Sequence, residues 1–207
     1  VLAAESIIIA AGSESARPQI PGLDGKNVIT STEALNVESL PKSLAIIGGG
    51  VIGMEIGSTY AKFGVEVTVL EALPHIVPSI DTDVREVLLH TSEKIMTIET
   101  GAMVKEIQDA DNQKKVVYET QGERRECCAE KVMVCVGRCP NTKKLGLETA
   151  GIQVNKRGYI QVNSHYETTA PGVYAIGDVN GQVLLAHAAS AQGIYVADRI
   201  SGKQTGI

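Results

Sequence analysis

The chain has 207 residues, 43% of them hydrophobic, and its 19 Lys and Arg residues against 24 Asp and Glu residues give a formal net charge of -5. This length and apolar content predict a globular protein with a substantial core, and the mild acidity without a basic block argues against a nucleic-acid partner. The apolar N-terminus has no basic residues and is interrupted by Glu5, and no apolar run reaches about 18 residues. We therefore predict a cytoplasmic protein without a signal peptide or a membrane partner.

The predicted elements begin with a short apolar strand at residues 7–11, which Gly12 closes. After a stretch rich in proline and glycine, residues 44–47 form a continuous apolar run that is typical of a strand buried on both faces. Apolar residues at mixed three- and four-residue spacing then predict a helix over 51–63, and the mainly β-branched residues 65–70 predict a second strand. These elements form a parallel strand-helix-strand unit in the first half of the chain.

The rest of the chain mixes helices, buried strands and alternating strands. We predict a helix over 81–94 with Asp81 or Thr82 as its N-cap. Alternating apolar and polar residues, separated by turn-forming residues, predict an antiparallel meander after it. The remaining predicted elements are a strand at 95–99, the meander strands at 102–107, 115–120 and 124–128, strands at 131–136 and 173–176, and a helix at about 186–200.

The pattern predicts an α/β fold with two domains, one of which interrupts the other. Prolines and glycines at 18–41 separate the first strand from the strand-helix-strand unit. We predict that residues 39–150 form a Rossmann-like parallel sheet with an antiparallel meander insertion, and that residues 1–38 and 151–207 are two partial segments of a second domain.

Four cysteines lie close together in the sequence, at Cys127, Cys128, Cys135 and Cys139, and none of the four histidines stands at a zinc-ligand spacing from them. Neighbours on a strand face opposite sides, and a cysteine within an apolar strand usually acts as a small hydrophobe. We predict reduced, structural cysteines and no metal site.

A glycine-rich segment directly follows the strand at 44–47 and opens the next helix. Its spacing, Gly-x-Gly-x-x-Gly, is that of a dinucleotide-binding loop. Gly48 would permit the tight turn, Gly50 would let a pyrophosphate approach the backbone, and Gly53 would allow close packing of helix on strand. The exposed N–H groups and the positive end of the helix favour a phosphate.

Glu71 ends the second strand, 23 residues after Gly48. A carboxylate there can accept hydrogen bonds from the adenosine ribose hydroxyls and would repel a 2′-phosphate. No Lys or Arg lies between Glu71 and Arg85, so the cation that NADP requires is missing from this segment. We predict NAD as the ligand, and on charge alone Glu71→Arg should shift the preference towards NADPH.

Four motifs in order resemble the pyridine nucleotide-disulfide oxidoreductase family. They are residues 48–55, Val-Gly-Arg-Cys-Pro-Asn at 136–141, Tyr-Ala-Ile-Gly-Asp at 174–178 and Leu-Leu-Ala-His at 184–187. Within the family, Arg-Gly-Tyr-Ile-Gln-Val-Asn at 157–163 and the Leu-Ala-His sequence most resemble dihydrolipoamide dehydrogenases. The resemblance covers nearly all of the chain.

The resemblance implies two cofactor sites. The residues implied around NAD are Gly48, Gly49, Gly50, Val51, Ile52, Gly53, Met54, Glu55, Glu71, Val104 and Gly137. The residues implied beside FAD, in an FAD-binding domain built from both ends of the chain, are Gly12, Asp178, Leu184, Leu185, Ala186 and His187. Spacing alone places Glu55 on the surface, whereas the resemblance implies that it contacts the nicotinamide. A helix that begins near Ala186 would direct its positive end at the flavin.

In the family, electrons pass from dihydrolipoamide through a Cys-x4-Cys disulfide and FAD to NAD, and a C-terminal His-Glu pair is the base. The sequence contains neither feature, so we expect the middle part of such an enzyme, with no catalytic residues and no activity alone. In the full-length enzyme the resemblance implies a lipoamide-bearing acyltransferase complex as the partner. Strands 7–11 and 173–176, which the family places side by side, would leave an apolar edge that favours a homodimer.

Two alternatives stay open at this point. The chain could be part of a related flavoprotein reductase, of the NADH oxidase or mercuric reductase type, or it could be a non-catalytic NAD-binding module.

Overall fold

The computed structural model of the chain describes residues 3–203. Residues 1–2 and 204–207, which belong to the predicted terminal segments, lie outside the described residues. The chain forms two compact units: a central unit, Ser15–Gly137, and a terminal unit made of Val1–Glu14 and Arg138–Ile207. Residues 15–38 thus belong with the central unit and residues 138–150 with the terminal one. Whether 39–150 is a separate NAD domain stays a prediction.

The elements have the following bounds. The strands are β1 (Ile7–Ile9), β2 (Ser13–Ser15), β3 (Val28–Thr30), β4 (Ser43–Ile47), β5 (Glu66–Glu71), β6 (Thr97–Thr100), β7 (Met103–Ala110), β8 (Gln113–Thr120), β9 (Glu123–Ala129), β10 (Lys131–Val134), β11 (Arg138–Pro140) and β12 (Val173–Ala175). The helices are α1 (Ser31–Ala34), α2 (Val51–Lys62), α3 (Thr82–Ser92) and α4 (Ala186–Ile200), with 3-10 turns at Leu147–Ala150 and Gly177–Asn180.

The central unit is built on a five-stranded parallel sheet in the order β3-β10-β4-β5-β6. All five residues of β4 are buried, as the continuous apolar run predicts. Leu44 and Ile46 face one core, which they share with α2, while Ala45 and Ile47 face another, which they share with the meander. Successive side chains of a strand point to opposite faces, so β4 lies between two apolar layers.

The predicted antiparallel meander is confirmed as the sheet β7-β8-β9. Its apolar face packs on the parallel sheet through Val116 and Tyr118, and its other face bears ion pairs such as Lys105 with Glu119. The tight turn after β8 uses Gln121 and Gly122, both at positive φ, which is the backbone that such hairpins need.

The terminal unit contains the two strands that the resemblance places side by side. β1 and β12 pair in parallel, with Ile7 opposite Val173 and Ile9 opposite Ala175. A small core lies beneath them, formed by Leu147, Ile152, Ile160, Ala175 and Val179. In the same unit, α4 has the bounds predicted for the Ala-rich helix at about 186–200. No helix within residues 3–203 has the length and apolarity to cross a bilayer.

The structure corrects several predicted boundaries and adds short elements. β1 ends at Ile9 and not at residue 11, α3 ends at Ser92 and not at residue 94, and β10 ends at Val134 and not at residue 136. β6 begins at Thr97 and not at residue 95, because the N–H groups of Ile95 and Met96 still donate to the Ser92 carbonyl at the end of α3. β2, β3, β11 and α1 have three or four residues each, which is too short to show a period in the sequence. A capping box between Thr30 and Glu33 stabilises α1.

Candidate functional site

The glycine-rich loop joins β4 to α2, and Gly48 makes its sharp turn. Gly48 has φ +107°, and its N–H donates to the Leu70 carbonyl at 2.9 Å. A Cβ at this position would lie 2.5 Å from the Cys135 carbonyl oxygen. Only glycine combines this backbone conformation with so close a neighbour, so Gly48 is required by the fold itself.

Two further glycines bring α2 close to the parallel sheet. A Cβ on Gly53 would lie 2.1 Å from the Gly48 carbonyl oxygen, and one on Gly57 would lie 2.9 Å from Cδ1 of Ile46. A side chain at position 53 would clash with the backbone of the loop, and one at position 57 would require the Ile46 side chain to move. The close helix-strand packing inferred from these glycines is therefore present in the structure.

Gly50 differs from its neighbours, because nothing in the protein requires a glycine there. Its backbone, at φ -71° and ψ -177°, is open to any residue, and a Cβ would meet no atom within 4 Å. Gly50 is also the N-cap of α2, and no side chain caps that helix. The loop thus presents empty space beside uncapped backbone N–H groups, which is the shape and polarity that a pyrophosphate requires.

Glu71, at the end of β5, is 8% exposed and lies against this loop. Its Oε2 accepts a hydrogen bond from the Gly49 N–H at 2.6 Å, and its Oε1 accepts one from the Leu73 N–H at 2.7 Å. Each carboxylate oxygen has a second lone pair, so two backbone bonds leave capacity for ribose hydroxyls. This backbone role has no signature in the sequence, and it alters the expected effect of Glu71→Arg, since a guanidinium cannot accept either bond.

The other residues implied around NAD fall into two groups. Val51, Glu55 and Gly137 are exposed and Ile52 is half-buried, so their side chains or backbone can reach a ligand. Met54 and Val104 are buried in the two cores of the central unit, and their side chains are occupied by packing. Any contact from those two residues would have to come from the backbone.

A second polar cluster lies in the terminal unit around Asp178. The Ser13 hydroxyl donates to Oδ2 of Asp178 at 2.5 Å and accepts from Nε of Arg138 at 2.6 Å. Nη2 of Arg138 also donates to the Ser13 carbonyl, at 2.6 Å. Arg138 and Ser13 therefore hold one oxygen of Asp178, and among residues 3–203 no donor reaches the other oxygen, Oδ1.

The turn that carries Asp178 is fixed from beneath by a buried amide network. Oε1 of Gln192, on α4, accepts from the Gly177 N–H at 2.7 Å and from Nδ2 of Asn180 at 3.0 Å. Nδ2 of Asn180 also donates to the Ala175 carbonyl. These buried hydrogen bonds hold the backbone of the turn, so Asp178 has a defined position shortly after β12.

The remaining residues implied beside FAD lie at the surface of the terminal unit. Leu184, Leu185, Ala186 and His187 are exposed at the start of α4, and no side chain caps that helix. Gly12, after β1, has φ +68°, and its carbonyl accepts from the Asn141 N–H. The uncapped start of α4 thus offers backbone N–H groups to a ligand, whereas the Gly12 carbonyl is already bonded within the unit.

The two partly buried cysteines, Cys127 and Cys135, do not carry reactive thiols. Burial raises the pKa of both Cys127 and Cys135 to about 11, which keeps each thiol protonated near neutral pH. Cys128 and Cys139 are exposed. Among the described residues, no group of three or more His, Cys, Asp or Glu side chains is placed to hold a metal ion.

Several participants in these sites have no clear signal in the sequence, among them Ser13, Arg138, Val77 and the buried amides of Asn180 and Gln192. Ser13 and Arg138 are 125 residues apart, and neither has a periodic signature, although Arg138 lies within the Val-Gly-Arg-Cys-Pro-Asn motif. Val77 donates its N–H to the Gly49 carbonyl at 2.8 Å. No motif marks a backbone contact of that kind.

Comparison with known proteins supports the family resemblance along almost the whole chain. A family model described as pyridine nucleotide-disulphide oxidoreductase matches residues 1–193. The chain is 42% identical over 205 residues to a dihydrolipoyl dehydrogenase of Thermus scotoductus, covering 97% of this chain and 44% of the relative. It is 41% identical over 202 residues to a dihydrolipoyl dehydrogenase of Staphylococcus aureus, covering 96% of this chain and 42% of the relative.

Two solved structures also match almost the whole chain. The HOCl-induced flavoprotein disulfide reductase RclA of Escherichia coli matches with a TM-score of 0.88 at 32% identity, over 97% of this chain and 46% of that one. LpdA of Mycobacterium tuberculosis matches with a TM-score of 0.86 at 29% identity, over 97% of this chain and 43% of that one. The chain thus spans less than half the length of these relatives.

Proposed function

The chain belongs to the pyridine nucleotide-disulphide oxidoreductase family, and we propose that its central unit is the NAD(H)-binding part of a flavin-dependent dihydrolipoyl dehydrogenase. The family implies FAD and a pyridine nucleotide as cofactors. The relatives named above are dihydrolipoyl dehydrogenases or related flavoprotein disulfide reductases. The proposal adds which nucleotide binds and where it binds.

The observation that carries this proposal is the empty space at Gly50. The other loop glycines are explained by a positive φ or by a neighbouring atom, whereas Gly50 has an ordinary backbone and no neighbour within 4 Å. A missing side chain that the fold does not require points to a ligand that needs the space. The adjoining N–H groups at the start of α2 favour an anion, and the diphosphate of NAD suits them.

The neighbouring residues bind and orient the nucleotide. The loop from Gly48 to Gly53 would hold the pyrophosphate, and the exposed Glu55 would lie on the nicotinamide side. NAD supplies the hydride-accepting ring when it is bound. The chain contributes binding, orientation and a negative charge at Glu71.

Glu71 is the basis for proposing NAD over NADP. Its carboxylate is nearly buried beside the loop, and no Lys or Arg occurs between it and Arg85 to balance a 2′-phosphate. A phosphate group placed near this carboxylate would face an uncompensated like charge at short range, which is unfavourable in a poorly solvated site.

We propose that the terminal unit contributes to an FAD site through Asp178. Its Oδ2 is held by Ser13, and Ser13 is in turn held by Arg138, so Oδ1 is positioned for a hydroxyl donor such as a ribityl chain. The uncapped start of α4 would favour negative charge on the flavin.

For the longer enzyme we propose dihydrolipoamide as the electron donor, a lipoamide-bearing acyltransferase complex as the partner and a homodimer as the assembly. The 207 residues contain no Cys-x4-Cys pair, so for this chain by itself we propose cofactor binding without turnover. The similarity to dihydrolipoyl dehydrogenases favours this proposal over an NADH oxidase or mercuric reductase.

Calorimetric titration with NADH tests the proposal, with Gly50→Ala as the decisive variant. The wild-type chain is expected to bind NADH, and Gly50→Ala is expected to weaken binding at least tenfold, because its methyl group fills the space reserved for the pyrophosphate. Folding should be nearly unaffected, since the Cβ meets no protein atom. Gly193→Ala in α4 is the matched control and should bind NADH normally.

Two results would contradict the proposal. One is a wild-type chain that does not bind NADH at millimolar concentration. The other is a Gly50→Ala variant that binds NADH as tightly as the wild type does.

A further inference from the structure

Gly49, the middle residue of the three-glycine run, is held at both of its backbone polar groups. Its N–H donates to Oε2 of Glu71 at 2.6 Å, and its carbonyl accepts from the Val77 N–H at 2.8 Å. The Ile76 side chain also packs on it, since a Cβ on Gly49 would lie 3.0 Å from Cγ2 of Ile76. The end of β5 and the segment that follows it therefore contact Gly49 in three ways: through the Glu71 carboxylate, the Ile76 side chain and the Val77 N–H.

Val77 makes its contact in an unfavourable backbone conformation. Its φ is +38°, a region that β-branched residues very rarely adopt. The residue is held there by burial, at 3% exposed, and by a turn in which the Ile80 N–H donates to the Val77 carbonyl at 3.0 Å. Backbone strain in folded proteins is concentrated at ligand sites, where the surrounding structure maintains it.

The flanking sequence restricts the segment further. Pro74 and Pro78 fix φ on either side of the buried pair Ile76 and Val77, and both prolines are exposed. Ile76 and Val77 belong to the same core cluster as α2 and β4. The segment is thus a rigid turn that is anchored in the core beneath the loop.

We propose that Val77 is a positioning residue for the phosphate-binding loop, a role that rests on the NAD(H)-binding function proposed above. Three successive glycines have wide conformational freedom, and their N–H groups would otherwise sample many directions. Fixing the peptide groups on both sides of Gly49 leaves the loop in one conformation before the ligand arrives. Binding then loses less conformational entropy, which raises affinity without any contact between Val77 and the nucleotide.

The alternative is that Val77 only fills the core. In that case its truncation would lower the free energy of unfolding and leave the folded loop unchanged. Val67, on β5, is a matched control: it is a valine of the same core cluster, it is 2% exposed, and it lies at the end of β5 away from the loop. Val77→Ala and Val67→Ala remove the same two methyl groups.

The experiment compares these two variants in two measurements, both at a temperature where each variant is fully folded. The first is NADH affinity by calorimetry, where Val77→Ala is expected to weaken binding at least fivefold and Val67→Ala less than twofold. The second is amide hydrogen exchange at Gly49 without nucleotide, where Val77→Ala is expected to accelerate exchange at least tenfold and Val67→Ala is not.

Equal behaviour of the two variants in both measurements would overturn the positioning role. If the wild type does not bind NADH, the proposed function fails, yet exchange at Gly49 still reports whether Val77 restrains the loop. Should Val77→Ala not fold, Pro78→Ala loosens the segment from its exposed side. It is then expected to accelerate exchange at Gly49 at least twofold, and unchanged exchange would refute the role.

Discussion

The bonds that Glu71 accepts make a substitution at this residue informative about stability as well as binding. In Glu71→Gln the side-chain shape is kept, but one of the two oxygens becomes an amide nitrogen that can only donate. Either the Gly49 or the Leu73 N–H, bonded at 2.6 and 2.7 Å in the wild type, then loses its acceptor. The group is nearly buried, so water replaces the lost acceptor poorly.

The expected loss of stability follows from the one N–H group that loses its acceptor. Leaving one buried N–H unsatisfied costs about 1–3 kcal/mol, and the bond that remains is weakened because its acceptor is no longer charged. We expect Glu71→Gln to lower the free energy of unfolding by about 2 kcal/mol. Glu71→Arg removes both acceptors and buries a cation. We expect its main effect to be a lower free energy of unfolding, and its shift of the cofactor preference towards NADPH to be the smaller effect.

Urea unfolding followed by circular dichroism measures this effect. Glu66→Gln is the control, because Glu66 begins the same strand and is exposed. It should change the free energy of unfolding by less than about 0.5 kcal/mol, as surface substitutions usually do. Equal stability of Glu71→Gln and the wild type would show that the two backbone bonds do not hold the loop.

Two further predictions concern the thiols and the edge of the terminal unit. Because burial raises the pKa of Cys127 and Cys135 to about 11, iodoacetamide near pH 8 should modify the exposed Cys128 and Cys139 first. The half-buried pair should react only as the pH approaches that value. Mass spectrometry of peptides distinguishes the sites, and early modification of Cys135 would contradict its raised pKa. β1 has two exposed isoleucines and pairs only with β12 among the described strands, so the chain should self-associate through this edge. Ile8→Lys should then shift its sedimentation towards the monomer. A wild-type chain that is monomeric at tens of micromolar would refute this prediction.

The framework of the central unit could be predicted because its signals are local. A continuous apolar run, a glycine motif and a helical period lie within residues 44–63, and each constrains the backbone where it occurs. The alternation in the meander is equally local, and its turns carry residues suited to positive φ. The Ala-rich composition of residues 186–200 is also a local signal, and α4 has the bounds that it predicts.

The features that hold the candidate sites in place could not be predicted in this way. Arg138, Ser13 and Asp178 meet only through tertiary structure, at sequence separations of 125 and 165 residues. The restraint on Gly49 depends on a valine in a backbone conformation that its residue type disfavours, so propensity argues against it. The spacing of Glu71 from the glycine motif predicts a ligand contact, but nothing in the sequence indicates its hydrogen bonds to the loop.

The most direct test of the account is calorimetric titration of the whole chain with NADH and NADPH under identical conditions. The central claim is that the loop from Gly48 to Gly53 binds a dinucleotide whose ribose lies at Glu71. It predicts that NADH binds at least tenfold more tightly than NADPH, a difference of about 1.4 kcal/mol or more. Equal affinities for the two nucleotides, or no binding of either, would contradict it.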